Sequence, residues 1–483
     1  MTDTLASSAD AATAAPYLLQ TIGDVQEDSP TRFPVIDPAK DAPFADCPDA
    51  TRDQLDRAVA AARAAFPSWS AASLEDRRTR LKAFAQALRD QSDEMAPLLT
   101  REQGKPLAQA RMELMIAAKR IDELVTIDLA PELLRDDAEA RIELRYRPLG
   151  VVGAITPWNV PVSLATAKIV QALYTGNTVV LKPSPFTPLT SLMLGTLGLA
   201  HFPPGVLNVV TGGADLGRWI TEHPDVDKIS FTGSGPTGKA IMRSAAASLK
   251  RLTLELGGND PAIVLADADV EAVAPKIVQA AFSNAGQICM AVKRVYVHAD
   301  LHDALCAEIA KIAATWKLGP GTEPGVQIGP VQNRPQYDKL LGILAATKAL
   351  PGARLLAGGQ TSGPGYFLSP TVFAGVEDGS VLVDDEQFGP ILPIVRFTNL
   401  DALIDTLNAS RFGLSASIWT RDPANGETVA RRLEVGTAWI NRHGGADNFA
   451  PFGGAKESGV GREYSIIGLR AYMEAHVVSL AKI

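Results

Sequence analysis

The sequence predicts an α/β chain, with a parallel sheet covered by helices and a half-solvated strand ahead of it. Two observations carry this. After Pro148, short apolar runs alternate with helical stretches; that βαβα rhythm packs helices on both faces of a parallel sheet. Before it, Arg141-Ile-Glu-Leu-Arg-Tyr-Arg147 alternates polar and apolar residues, as a half-solvated strand does.

The elements follow in order. Met1 to Ala15 is rich in Ala, Ser and Thr and reads as a loose tail. Thr51 with Gln54 makes a capping-box pattern ahead of Leu55, Val59 and Ala62. Ser73 opens a second helix carrying Leu81, Phe84, Ala85 and Leu88, and a third spans Leu107 to Leu124. The apolar runs Val151–Ile155, Thr178–Leu181, Leu207–Val210, Lys228–Phe231 and Leu252–Leu254 read as strands. Helical segments such as Ser163–Leu173 and Pro236–Ser248 lie between them. A second αβ series extends from about Asp260 to Lys456. It includes the helical stretch Leu301–Trp316, a Gly-rich connection Gly358–Gly365 and the strand Thr437–Ile440. The chain closes on a strand-like tail, Val477–Ile483, with no internal repeat before it.

A chain of 483 residues is long enough for two or three domains. With 46% hydrophobic and 21% charged residues it has ordinary globular composition. A net charge of −8 without basic runs disfavours nucleic acid and anionic lipid as partners. Three cysteines, Cys47, Cys289 and Cys306, are too few for a disulfide framework and fit a reducing compartment. No cysteine or histidine cluster suggests a metal site. The first basic residue is Arg32, whereas secretory and mitochondrial leaders carry basic residues earlier. No apolar stretch reaches the roughly 20 residues of a membrane helix. A soluble cytoplasmic protein is expected.

Gly233-Ser-Gly235-Pro-Thr-Gly238 follows a strand and precedes a helix. That context fits the dinucleotide fingerprint, in which glycines let backbone approach a pyrophosphate at a helix N-terminus. It also fits a plain Gly-rich turn. The fingerprint expects a ribose-binding acid about 20 positions later, and Glu255 stands near there.

Further segments converge: Pro157-Trp-Asn-Val-Pro161, Gly176-Asn-Thr-Val-Val-Leu-Lys-Pro183, Phe231-Thr-Gly-Ser234, Leu254-Glu-Leu-Gly-Gly258, Gly286-Gln-Ile-Cys289, Glu386-Gln-Phe-Gly-Pro390 and Pro451-Phe-Gly-Gly454. In this order, from about Arg32 to the C-terminus, the chain resembles the aldehyde dehydrogenase superfamily. The resemblance implies a Rossmann-like parallel-sheet coenzyme domain over 1–125 and 149–257. It implies an αβ catalytic domain over 258–457. It also implies an oligomerisation arm formed by 126–148 with 458–483, and a homodimer or homotetramer. The coenzyme it implies is NAD.

The chemistry implied is concrete. Hydride leaves a tetrahedral carbon, so the aldehyde must first gain a nucleophile. Cys289 matches the family thiol, whose thiohemiacetal becomes a thioester and is released by water. The other reading of a free cysteine is a small buried side chain; it suits Cys306, spaced with Leu305 and Ile309, while Cys47 reads as a loop residue. Asn159 matches the side-chain donor to the developing oxyanion, beside the Cys289 N–H; such donors contribute on the order of 3 kcal/mol. Glu255 matches the general base, against the ribose ligand or a surface carboxylate. Its presence favours water over coenzyme A as acceptor; a CoA-acylating semialdehyde dehydrogenase is the alternative. Glu463 matches a second carboxylate that relays protons. Trp158, Lys182, Ser184, Gly233, Ser234, Glu386 and Phe388 match coenzyme-binding positions.

Two departures stand out. Pro185 replaces a glutamate that would repel a 2′-phosphate, so NADP is expected to be accepted beside NAD. Aromatic positions of the substrate tunnel are filled here by Val160, Ala167, Ser283 and Ala446, with Gly444 and Gly445 adding room. Leu164, Met290, Phe449 and Phe452 would keep the tunnel apolar. The expected substrate is a bulky apolar or aromatic aldehyde, with Arg442 and His443 near the tunnel wall leaving a charged one open.

Overall fold

The computed structural model describes residues 17–482, so the expected loose tail lies outside the described residues. The Thr51 capping box forms as written: Gln54 N–H donates to the Thr51 hydroxyl (3.2 Å) and Thr51 N–H to the Gln54 side chain (3.0 Å). It opens the helix Arg52–Ala71. Ser73 caps Leu74–Asp90, and Leu107–Leu124 forms as expected. Between them runs Ser92–Gln103, unforeseen. Two hairpins precede these helices, Gln20–Ile22 with Val25–Glu27 and Arg32–Asp37 with Ala42–Pro48. Cys47 lies in the last of these strands, fully buried against the helical core. The loop expected there is corrected: the residue alternates inward along a strand.

The first sheet places five parallel strands in the order Leu207–Val209, Thr178–Lys182, Val151–Ile155, Lys228–Thr232 and Arg251–Glu255. Chain order reverses between Val151–Ile155 and Lys228–Thr232. Ligands bind at such a reversal, beyond the carboxyl ends of the strands. The second sheet holds seven strands, six of them mutually parallel: Thr371–Ala374, Ile391–Phe397, Arg294–His298, Pro261–Val264, Ser415–Trp419 and Thr437–Ile440. Both sheets bury nearly every residue of their parallel strands, which is why those strands read as unbroken apolar runs.

The arm is a three-stranded antiparallel sheet, Met473–Ala481, Ala140–Pro148 and Glu132–Asp136. Only part of the C-terminal segment joins it. Gly459–Val460 instead adds an edge strand to the first sheet, beside Leu254 and Glu255. Among the described residues no helix is long and apolar enough to cross a membrane.

Candidate active site

Loops from both sheets meet around Cys289. The loop that carries it leaves the helix Val270–Phe282 through three residues with positive φ, Asn284, Ala285 and Gly286. Gly286 must lack a side chain: a Cβ there would come within 2.4 Å of the Gly389 carbonyl. The cysteine loop and the 386–390 loop are thereby pressed together.

Four consecutive carbonyls of the cysteine loop are held by side chains. Asn159 Nδ2 donates to the Gln287 carbonyl at 2.8 Å, with Asn284 Nδ2 at 3.4 Å. Lys293 Nζ donates to the carbonyls of Ile288 (2.5 Å) and Cys289 (3.3 Å). His443 Nε2 donates to the Met290 carbonyl at 2.6 Å. Burial pushes the His443 pKa down to about 4, so the ring is neutral, and its Nδ1 accepts from the Ser417 hydroxyl at 2.9 Å. A trans peptide sets N–H opposite the preceding C=O. Holding the Ile288 carbonyl on Lys293 therefore turns the Cys289 N–H the other way, and among the described residues nothing accepts from it.

Cys289 lines a cavity of about 310 Å³. Val160, Leu164, Met290, Ala446 and Phe452 supply an apolar side. Asn159, Trp158, Gly233, Ser234, Glu386 and Phe388 also line it. Trp158 and Phe388 meet edge to face, 5.4 Å between centroids. Ser234 caps the helix Gly235–Ala245, and a Cβ on Gly235 would touch nothing within 4 Å. That open helix N-terminus can take an anion. Gly257 makes room for Glu386, whose Oε2 would stand 2.2 Å from a Cβ there. Glu386 Oε1 accepts from the Gly258 N–H at 3.1 Å. This set of groups fits a dinucleotide: an open helix end to donate, a carboxylate to accept from ribose hydroxyls and flat rings for a nicotinamide.

Burial keeps both the thiol and the carboxyl beside it protonated further up the pH scale than usual. Burial pushes the Cys289 thiol up to about 12, with the Lys293 ammonium opposing. Glu255 is buried behind its neighbours Leu256 and Gly257, which form the wall, and its Oε1 has no partner. Burial first and the Glu463 charge second raise its pKa well above the usual carboxylate range. Glu463 pairs with Lys168 at 2.5 Å, both sealed from solvent, and Lys168 also donates to the Ser230 hydroxyl at 3.0 Å.

Some expected residues lie elsewhere. Lys182 and Ser184 are buried at the carboxyl end of the neighbouring strand, off this wall. Burial lowers the Lys182 pKa to about 8. Ala167 is sealed in the core one turn beyond Ser163 and Leu164, so its small side chain opens no space here. Phe449 is 59% exposed and off the wall, because a turn at Asp447 swings it outward. Ser283, Arg442, His443, Gly444 and Gly445 line a second cavity of about 500 Å³, which shares Ile288 and Met290 with the first. Cys306 sits in the core of the second sheet, as expected.

Residues unforeseen from sequence also shape the site. Gln336 donates to the carbonyls of Gln387 and Phe388, and Lys339 to that of Glu386, fixing the loop below the rings. Lys293, Arg120 and Tyr464 were not foreseen, and His443, expected near the tunnel wall, also holds the Met290 carbonyl. Arg120 had a signal: with Glu113 it shares a buried helix face with Ala117 and Leu124, where apolar residues are the rule.

The model of the "Aldehyde dehydrogenase family" matches residues 25–478. "Aldehyde dehydrogenase LUC3" of Fusarium sp is 40% identical over 92% of this chain and 95% of its own. The NAD+ complex of aldehyde dehydrogenase from Bacillus cereus superposes with a TM-score of 0.94 at 34% identity, over 99% of this chain and 100% of that one. Betaine aldehyde dehydrogenase of Staphylococcus aureus, solved with NAD+, gives 0.92 at 30% identity, over 96% and 95%. The chain belongs to the aldehyde dehydrogenase family and is an NAD(P)-dependent enzyme that oxidises aldehydes.

Proposed function

We propose that Cys289 attacks the aldehyde and that water, activated by Glu255, releases the acid. The observation that carries this is the position of Cys289 on a wall that has an apolar side and a dinucleotide-shaped side. With its thiol near 12, the cysteine is a resting thiol, and its proton passes to water in the cavity as the carbon–sulfur bond forms. The oxyanion meets the Cys289 N–H and the free N–H of the Asn159 amide, the other being used by Gln287. The chemistry required of the coenzyme is acceptance of a hydride, which turns the thiohemiacetal on Cys289 into a thioester. Glu255, raised and without a partner on Oε1, is then the base that takes the water's proton, and Glu463, held by Lys168 behind it, relays that proton away. Glu386, Phe388, Trp158, Gly233 and Ser234 hold the coenzyme, with Lys182 and Ser184 at its adenosine end. Cys289→Ala should abolish NADH production across an aldehyde panel; normal turnover by that variant refutes the reading. Turnover without coenzyme A separates hydrolysis from acyl transfer to coenzyme A.

The substrate is a bulky apolar or aromatic aldehyde. The apolar wall and the adjoining cavity support this, since Ser283, Gly444 and Gly445 leave it open where a long substrate would continue. Acetaldehyde preferred over a benzaldehyde-type or long-chain substrate on kcat/KM overturns it. Pro185 leaves NADP usable beside NAD; an NAD preference above about a thousandfold, roughly 4 kcal/mol, refutes that. Of the described residues, 17–125 and 149–257 carry the coenzyme, 258–457 the nucleophile, and 126–148 with the strand Met473–Ala481 the contacts of a homodimer or homotetramer. Exposed Leu133, Leu134, Val477 and Leu480 on the arm support the last point, which sedimentation tests.

A further inference from the structure

We propose that Arg120 and Tyr464 form a carboxylate-binding subsite inside the catalytic cavity, so that the preferred aldehydes carry a carboxylate on an aromatic or otherwise apolar frame. This rests on the bulky-aldehyde reading and narrows it.

Arg120 lines the same cavity as Cys289 and is 7% exposed. A guanidinium taken out of water is costly unless its charge and its donors are met. Here they are met only in part. Nε donates to the Asn448 side chain (3.0 Å), and Nη1 to the carbonyl (3.2 Å) and hydroxyl (2.8 Å) of Ser163. Three of five N–H groups are thus used. Among the described residues Arg120 forms no ion pair, and Nη2 donates to nothing. Glu123 reaches it only through the amide of Asn448. The charge otherwise rests on the face of the Tyr464 ring, 4.6 Å away.

Tyr464 lines the cavity as well and is 3% exposed. Among the described residues its hydroxyl has no partner. Burial raises its pKa, so the hydroxyl stays protonated and able to donate. Two unused donors, one charged, therefore share a wall with the nucleophile. Around them stand Leu164, Ala446 and Phe452, which ask for an apolar frame. A neutral aldehyde leaves both donors unmet. A carboxylate accepts from both, by charge-assisted hydrogen bonds in a water-poor site.

The test is kcat/KM of the full-length enzyme with NAD+ on 3- and 4-carboxybenzaldehyde, each against the methylbenzaldehyde of the same pattern. Wild type should favour the better carboxylate isomer by at least about tenfold. In Arg120→Gln the carboxylate-to-methyl ratio should fall by roughly thirtyfold, with Arg120→Lys keeping part of it. Tyr464→Phe, which removes only a hydroxyl, should lower the same ratio severalfold. If Arg120 only clamps helices together, both rates fall in Arg120→Gln and the ratio stays; that result overturns the proposal. So does a wild type that oxidises the methyl compounds as well as the carboxylates, whether or not Arg120→Gln folds. A wild type that prefers acetaldehyde to every aromatic member fails the bulky-substrate reading and this proposal with it. One that prefers the aromatic members without distinguishing the carboxylate overturns the subsite alone.

Discussion

Replacing Lys293 by methionine keeps the length of the side chain and removes three donors and one charge. Lys293 is 1% exposed, bonded to the Ile288 and Cys289 carbonyls, 3.9 Å from Glu386 and 5.2 Å from the Phe388 ring centre. Hydrogen bonds from a charged donor contribute about 1.5–3 kcal/mol each. The Ile288 carbonyl keeps the Ala291 N–H as a second donor, so the full sum is not lost. A loss of about 2 kcal/mol at the transition state corresponds to a roughly thirtyfold fall in kcat/KM, carried by kcat. The charge acts on the thiol as well. A cation favours thiolate, so its removal raises a pKa that already stands near 12. Alkylation by iodoacetamide between about pH 6 and 9 should rise about tenfold per pH unit in both proteins, with the variant's line lower. Arginine at this position should recover part of both losses. A folded Lys293→Met enzyme whose alkylation rate and kcat/KM stay within about threefold of wild type would refute the argument that this cation holds and charges the loop.

Other outcomes follow from the same geometry. Glu255→Gln should leave a burst of NADH and lower steady-state turnover by about 10²–10⁴, because acylation survives and hydrolysis does not; rapid-mixing kinetics reads this, and a linear trace without a burst counts against it. In wild type, steady-state turnover should rise with pH through a pKa well above the usual carboxylate range, as Glu255 must be ionised to act. Ala446→Phe should narrow the apolar side and move the kcat/KM ratio towards acetaldehyde by about tenfold, within the range one pocket group commands; an unmoved ratio places the substrate elsewhere. Asp260 is fully buried, receives the Ser415 hydroxyl and has its pKa raised by burial to about 7. The fold therefore binds its proton more tightly than the unfolded chain does. The resulting stability is whole below the usual carboxylate value of 3.8 and is lost as pH climbs through about 7. Urea unfolding at pH 5 and pH 8 should show a smaller difference for Asp260→Asn than for wild type.

The parallel strands were legible because burial on both faces leaves them as apolar runs cut by turns. Gly233 and Glu255 came with the strands through the dinucleotide fingerprint, whereas Asn159 and Lys182, which also end or follow strands, were singled out only by the family resemblance. Arg32–Asp37 and Ala42–Pro48 were not legible: each is short and mixed in polarity, and they pair only with each other. Ser92–Gln103 lacked both start and continuity, having no side-chain cap and a proline at position 97. Cys47 was misplaced with its strand. The contacts that complete the site were beyond reach for a different reason. Arg120 and Asn448 are 328 positions apart, and Lys168 and Glu463 are 295 apart. No local period encodes such a pairing; charges on a helix face that ought to be apolar give the only hint.

The side chains gripping the cysteine loop are rooted in different bodies. Asn159 follows a strand of the first sheet, Lys293 leads into one of the second, and His443 follows the last strand of that second sheet. A modest slip between the two halves, too small to melt either, would loosen the grip and silence the enzyme. Heat should therefore extinguish oxidation some degrees before ellipticity changes, and coenzyme bridging the halves should bring the two temperatures together.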